Sequence, residues 1–310
     1  MTLDDIQRVK RFYNNFAVTL GIVIGFILGV YFFTFSELVG SGLPLWTPRG
    51  TALRMALDDY VWQLRRAAGY ERVEIPHITK KDLYITSGHW DKFKDELFRV
   101  TTREGHEFAM KPMNCPHHIM IYKSEQHSYR DLPMRLAEFG TVYRYERAGT
   151  LHGLMRIRGF TQDDSHIFCT PEQAAGEIKS LLDFVISVLK AFGFTEFTAN
   201  LSTKDPNKYA GDDDAWDAAT DALRAALENY GLAYKIKEGD AAFYGPKIDI
   251  DVKDAIGRTW QLTNPKAVMF TADGDSEDPD TFAVLAGAEG LFPLYPLTKN
   301  VESWELQRAI

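Results

Sequence analysis

Two groups of residues between positions 112 and 168 have types and spacings that could do chemistry. Arg144 and Glu146 stand two apart, so on a strand their side chains would share a face. A cation beside an anion suits a ligand that carries both a phosphate and a donor-bearing base. The guanidinium forks onto phosphate oxygens, and the carboxylate accepts from an exocyclic amine. The same spacing also describes an ordinary surface ion pair. Arg156 and Arg158 repeat it, and the Gly-containing stretch 147–153 reads as the loop of a strand–loop–strand hairpin.

The second group is Cys115, in P-M-N-C-P-H-H, and His166, in Q-D-D-S-H-I-F. Thiolate and imidazole are both zinc ligands, but two residues do not make a site, and a lone Cys is usually a small buried hydrophobe. Asp164 would share a strand face with His166. It could accept from a ligand's ammonium or hydroxyl, or orient the imidazole.

Several elements must position these groups. Thr51 can cap a helix over 51–68, with Leu53, Leu57, Val61 and Leu64 at helical spacing and Gly69 as its stop. A strand over 71–75 ends at Pro76. Stretches 97–100 and 107–110 form a hairpin around Glu104 and Gly105, and a helix begins near Met113. Residues 171–192 form an amphipathic helix with Ile178, Leu181, Leu182, Val185 and Leu189 inward. A strand over 194–201, an acid-capped helix over 212–229 and an alternating strand over 247–252 follow.

The composition is that of a globular protein: 310 residues, 45% apolar and 25% charged. A net charge of −8 does not advertise nucleic acid, so any nucleic-acid-binding surface must be a local basic patch. Two cysteines, Cys115 and Cys169, give no disulfide framework and point to a reducing compartment. Residues 16–35 carry no charge, with Gly21, Gly25 and Gly29 on one helical face. They are long enough for a membrane anchor, and a buried helix reads equally well.

The run K-P-M-N-C-P-H-H, L-P-M-R-L-A-E-F-G, R-Y-E-R-A-G-T and R-G-F-T-Q-D-D-S-H-I-F resembles threonyl-tRNA synthetases, a family of class II aminoacyl-tRNA synthetases. The resemblance covers roughly residues 35–262. It implies an α+β fold, a class II antiparallel sheet flanked by helices, in a catalytic domain over 36–262; the N-terminal hydrophobic segment over 1–35, a possible transmembrane helix, and an unassigned tail over 263–310 lie outside the resemblance. It further implies a cytoplasmic enzyme that activates threonine with ATP and Mg²⁺, transfers it to tRNA(Thr), and dimerises through 51–68 and 71–75. By this resemblance Arg144, Glu146, Arg156 and Gln261 meet ATP, Arg144 being catalytic. Met113, Gln162, Asp164, Tyr244 and Lys247 line the amino-acid pocket, Cys115 and His166 hold Zn²⁺, and His89 activates the terminal ribose of tRNA.

After Leu262 the resemblance stops. The family's third zinc-ligand His and its third motif, with an ATP-binding Arg, have no counterpart: no His follows His166, and Arg308 is the only Arg after Arg258. Asp164 sits beside His166 and would have to replace the third ligand. The competing reading is therefore a catalytically impaired or membrane-tethered synthetase-like module with weak zinc and slow adenylate formation. Zinc stoichiometry and pyrophosphate exchange separate the two.

Overall fold

In the computed structural model the described residues are 31–287, apart from 93, 195, 210–211, 254–258, 264 and 272–280. The chain divides into two units: residues 1–60 with 146–159, and residues 61–145 with 160–310. Most of the uncharged span 16–35 lies outside the described residues. Of its last part, Phe33–Thr34 (β1) pairs antiparallel with Leu45–Trp46 (β2). Among the described residues no helix is long and apolar enough to cross a membrane.

Helix α1, Pro48–Ala67, starts earlier than Thr51. The Thr47 hydroxyl accepts from the Gly50 amide at 3.2 Å, and Pro48 fills the first helical position, where its missing N–H costs nothing. Helical spacing was right about Val61, which is buried, but Leu53 and Leu57 are 46% and 40% exposed. Periodicity identifies an apolar face without identifying what covers it.

The second unit is built on a nine-stranded sheet. Its strands are β3 (Glu71–Arg72), β7 (Met134–Tyr143), β8 (Gly159–Cys169), β9 (Phe197–Ser202), β10 (Tyr234–Lys237), β11 (Lys247–Lys253), β12 (Thr259–Thr263), β13 (Lys266–Thr271) and β14 (Thr281–Gly287). The order is β10-β9-β11-β13-β14-β8-β7-β3, with β12 paired to β11 outside this path. From β9 to β8 the neighbours run antiparallel, whereas β10 is parallel to β9 and β3 to β7. The stretch after Leu262 that carried no assignment thus contributes β13 and β14, and the strand expected over 71–75 shortens to two residues.

Two helices cover one face of the sheet, α5 (Pro171–Ala191) and α6 (Asp213–Tyr230). The inward residues Ile178, Leu181, Leu182, Val185 and Leu189 join Ala199, Leu201, Ile248, Ile250, Leu223 and Leu227 in the main core. A smaller sheet, β4-β6-β5, uses Ile78–Lys80 (β4), Arg99–Thr101 (β5) and Glu107–Met110 (β6), with the turn at Gly105 in the left-handed region that only glycine adopts freely (φ +85°).

Strand β8 is two-sided. Asp163, Ser165, Ile167 and Cys169 point one way; Gln162, Asp164, His166 and Phe168 point the other. Ile167 and Cys169 enter the core beneath α5. Asp163 and Ser165 are gripped by Arg65, which is fully buried at the end of α1. Its guanidinium donates to both Asp163 oxygens at 3.0 and 2.9 Å and to Ser165 Oγ at 3.0 Å. It lies over the rings of Tyr70 and Phe184 at 4.6 and 4.3 Å. Replacing Asp163 with Ala leaves this cation buried without its carboxylate. The substitution should cost about 3–5 kcal/mol, the scale for breaking a buried ion pair from one side. Urea denaturation of the variant and the parent chain measures it, and a loss under about 1 kcal/mol would mean that water or Ser165 replaces the carboxylate.

Candidate functional site

The outward face of β8 carries the chemistry. Asp164 and His166 are two apart and both fully buried. Cys115 opens helix α4 (Cys115–Lys123), also fully buried. Their ligand atoms, one sulfur, one carboxylate oxygen and one imidazole nitrogen, lie within 4.8 Å of one another. Asp164 therefore joins the pair predicted from sequence. Standing next to His166 does not prevent this, because alternation on a strand aims both side chains at the same place.

A hydrogen-bonded chain sets the state of His166. Lys111 Nζ lies 3.7 Å from Glu138, whose Oε1 is 3.1 Å from His118 Nε2, and His118 Nδ1 is 2.7 Å from His166 Nδ1. The Glu138 carboxylate can only accept, so His118 Nε2–H donates to it. With both imidazoles neutral, His118 Nδ1 accepts from His166 Nδ1–H, which leaves the Nε2 lone pair of His166 for the cluster. Burial, with His118 and Lys266 adding to it, holds the His166 pKa well below the usual imidazole value, so the ring is neutral at neutral pH.

Asp164 is held through Asn114, whose amide donates to Oδ2 at 2.9 Å. A Cβ on Gly140 of β7 would come within 2.4 Å of that amide, so this position must lack a side chain. The other oxygen, Oδ1, is buried and accepts no hydrogen bond among the described residues. Burial raises the Asp164 pKa to about 6 and lifts the Cys115 thiol well above its ordinary value. A sulfur, a nitrogen and an oxygen donor, converging and costly to keep charged without a counter-ion, fit a zinc ion by donor chemistry.

The remaining expected residues of this unit differ in their surroundings. Met113, Gln162 and Tyr244 are buried. Arg144 donates from Nε to the Pro112 carbonyl at 3.1 Å and lies 5.2 Å over Phe160, while its Nη2 is buried with no hydrogen-bond partner among the described residues. Lys247 pairs with Asp249 at 3.0 Å. His89 is fully buried, with Nδ1 2.8 Å from Ser87 Oγ. Gln261, on β12, is exposed.

The same-face argument for Arg144 and Glu146 does not survive. Strand β7 ends at Tyr143, so neither residue lies on it. Glu146 belongs to the other unit, where it pairs with Arg156 at 3.0 Å; the Arg158 side chain there donates to the Glu146 and Ser41 carbonyls at 2.9 and 3.2 Å.

Sequence reasoning missed Lys111, Asn114, His118, Glu138 and Lys266. The first three sit inside or beside P-M-N-C-P-H-H, and their signal was polar residues at the start of a helix with a buried neighbour. Glu138 was visible as the lone acid of its strand, Met134–Tyr143. Lys266 had no local signal.

Comparison with known proteins gives the family. The model of the tRNA synthetase class II core domain (G, H, P, S and T) matches residues 98–271, past the point where the motif resemblance ends. The threonine–tRNA ligase of Porphyromonas gingivalis is 54% identical over 235 residues, 74% of this chain and 36% of that protein. The threonine–tRNA ligase of Synechococcus elongatus is 50% identical over 264 residues, 83% of this chain and 42% of that protein. The chain thus spans about two fifths or less of these relatives' length. A crystal structure described as the RNA binding domain of threonyl-tRNA synthetase from Cryptosporidium parvum superposes with a TM-score of 0.77 at 35% identity, covering 90% of this chain and 69% of that one. With more than half of its length matched by the family model, the chain belongs to the class II tRNA synthetase core domain family.

Proposed function

We propose that this chain carries the amino-acid activation site of a threonine–tRNA ligase, joining threonine to ATP and then passing it to tRNA(Thr). The observation that carries this reading is the buried Cys115, Asp164 and His166 cluster, within a chain 54% identical to a threonine–tRNA ligase over 235 residues. Zinc would be held by these three residues and would supply a Lewis-acidic seat for the amine and hydroxyl of the substrate. Asp164 Oδ1 is aimed to accept a proton-bearing group of the amino acid. Met113, Gln162 and Tyr244, all buried, would wall the amino-acid pocket, and Lys247, anchored by Asp249, would stand at its edge.

Arg144 Nη2, buried with no partner, would meet the α-phosphate. A preorganised guanidinium there stabilises charge that grows as the carboxylate attacks and pyrophosphate leaves, and it needs no reorganisation at that moment. Mg²⁺ would arrive with the ATP phosphates. His89 would act on the tRNA terminus. The exposed Leu53 and Leu57 of α1 support a homodimer formed through that helix.

Threonine-dependent exchange of pyrophosphate into ATP tests the reading. Exchange should occur with threonine and fall at least about 100-fold with valine, because a site built for a hydroxyl is left with unpaired polar groups by the analogue that lacks it. Equal rates with both amino acids, or none with either, would refute it. Arg144→Ala should weaken ATP binding by about 1.5–3 kcal/mol, the scale of charged hydrogen bonds, as read by calorimetry.

Zinc binding should depend on pH in a set direction. Metal binding requires deprotonated ligands. Asp164 (pKa about 6) and Cys115 (raised further) must each lose a proton, whereas His166 is already neutral. Affinity should therefore rise with pH, releasing about two protons per zinc below pH 6 and about one above it. Calorimetry in buffers of different ionisation enthalpy counts these protons. The parent chain should hold one zinc and Cys115→Ala essentially none. Substoichiometric zinc in the parent chain would return the site to two ligands.

A further inference from the structure

Three rows of residues meet at the cluster, and their spacings match. Asp164 and His166 stand two apart on the outward face of β8. Glu138 and Gly140 stand two apart on β7, the neighbouring strand. Asn114 and His118 stand four apart at the start of α4. Two residues of strand advance about 6.6 Å and four residues of helix about 6 Å, so the rows stay in step. Each residue of the helix row accordingly meets one of the strand row: Asn114 donates to Asp164 at 2.9 Å, and His118 Nδ1 is 2.7 Å from His166 Nδ1. The β7 row stands behind them. Gly140 leaves room for Asn114, and Glu138 Oε1 is 3.1 Å from His118 Nε2.

Glu138 is 6% exposed and its counter-charge, Lys111 at 3.7 Å, is 1% exposed. The Lys111 backbone is pinned on both sides, its amide donating to the His77 carbonyl at 2.9 Å and its carbonyl accepting from the Tyr143 amide at 2.8 Å. A buried ion pair is a poor source of stability, since an apolar pair of the same volume often does as well or better. What this pair supplies is direction. Two neutral imidazoles do not decide between themselves which one donates. A carboxylate, which can only accept, decides it for them.

We propose that Glu138, backed by Lys111, is a positioning residue for His166: acting through His118, it fixes which nitrogen of His166 is left to bind the metal, and so how tightly Cys115, Asp164 and His166 hold it. The metal itself rests on the proposed function. The competing role for Glu138 is that of a structural partner to Lys111.

Two variants separate these roles. Glu138→Gln keeps the size and a hydrogen bond to His118, but an amide can donate as well as accept, so the direction is no longer fixed. The double variant Lys111→Met/Glu138→Gln also removes the cation that the single substitution strands. Nitrogen-15 NMR of the metal-free full-length chain reads the His166 tautomer, and competition with a chromophoric chelator reads zinc affinity. The parent should carry the His166 proton on Nδ1, and both variants should show mixed tautomers. Zinc should bind about 10- to 100-fold more weakly in both, the scale for losing a residue that orients a metal-bound histidine. The metal-free double variant should melt at the parent's temperature.

A parent chain with the His166 proton on Nε2 overturns the inference before any variant is made. So does an unchanged tautomer in the variants, whatever their melting temperature, and so does zinc binding as tight as the parent's. These outcomes leave the functional reading intact when the parent holds its zinc. A parent chain whose tautomer follows Glu138 but which binds no zinc keeps the hold of Glu138 on His166 and removes the metal from the functional reading.

Discussion

The two-sided register of β8 is the constraint on which the rest depends. A strand has a period of two, so one residue of slip would carry Asp164 and His166 into the core and bring Ile167 out. Both faces oppose that slip. On the inner face Ile167 and Cys169 pack under α5, and Arg65 clamps Asp163 and Ser165. On the outer face Asn114 holds Asp164 and His118 holds His166. The core and the site thus lie on opposite sides of the same backbone. The clamp also sits between aromatic rings, so its geometry is fixed by packing as well as by charge.

Burying this much polarity is expensive, and the way its cost is met is informative. Along one route the groups satisfy one another: Lys111, Glu138, His118 and His166 form a continuous chain. Such chains rigidify when every member is bonded. Elsewhere among the described residues buried atoms have no hydrogen bond, Asp164 Oδ1, Arg144 Nη2 and Lys266 Nζ among them. The same structure that satisfies His118 leaves these atoms without partners. Their chemistry is complementary: a carboxylate oxygen can accept, and a guanidinium and an ammonium can donate.

Much of this was legible in the sequence, for identifiable reasons. Helix α5 was readable because five inward residues follow a period that only a helix satisfies, and each of them is buried. The pairing of Cys115 with His166 was suggested by ligand chemistry, and the motifs around them carried the family. What was not legible depended on tertiary context. Strand β7 stops at Tyr143, and nothing in R-Y-E marks that stop, so the shared face of Arg144 and Glu146 was lost. Leu53 and Leu57 have core spacing, yet lie exposed on α1. Lys266 becomes notable only when β13 is placed against β11, since a lysine at the start of a short apolar run ordinarily marks a strand end at the surface.

The polarity around the cluster has a further consequence. Asp164, Cys115 and His166 are costly to charge in a buried place, and burial accordingly raises the pKa of the first two and lowers that of the third. Lys266 lies in the same field: burial lowers its pKa to about 7, with Lys247 and Arg144 adding to the fall and Cys115 and Asp249 opposing it. A thiol and an amine that burial holds near neutrality can each change charge when a counter-charge arrives, so the ionisation of the cluster follows its occupant instead of preceding it.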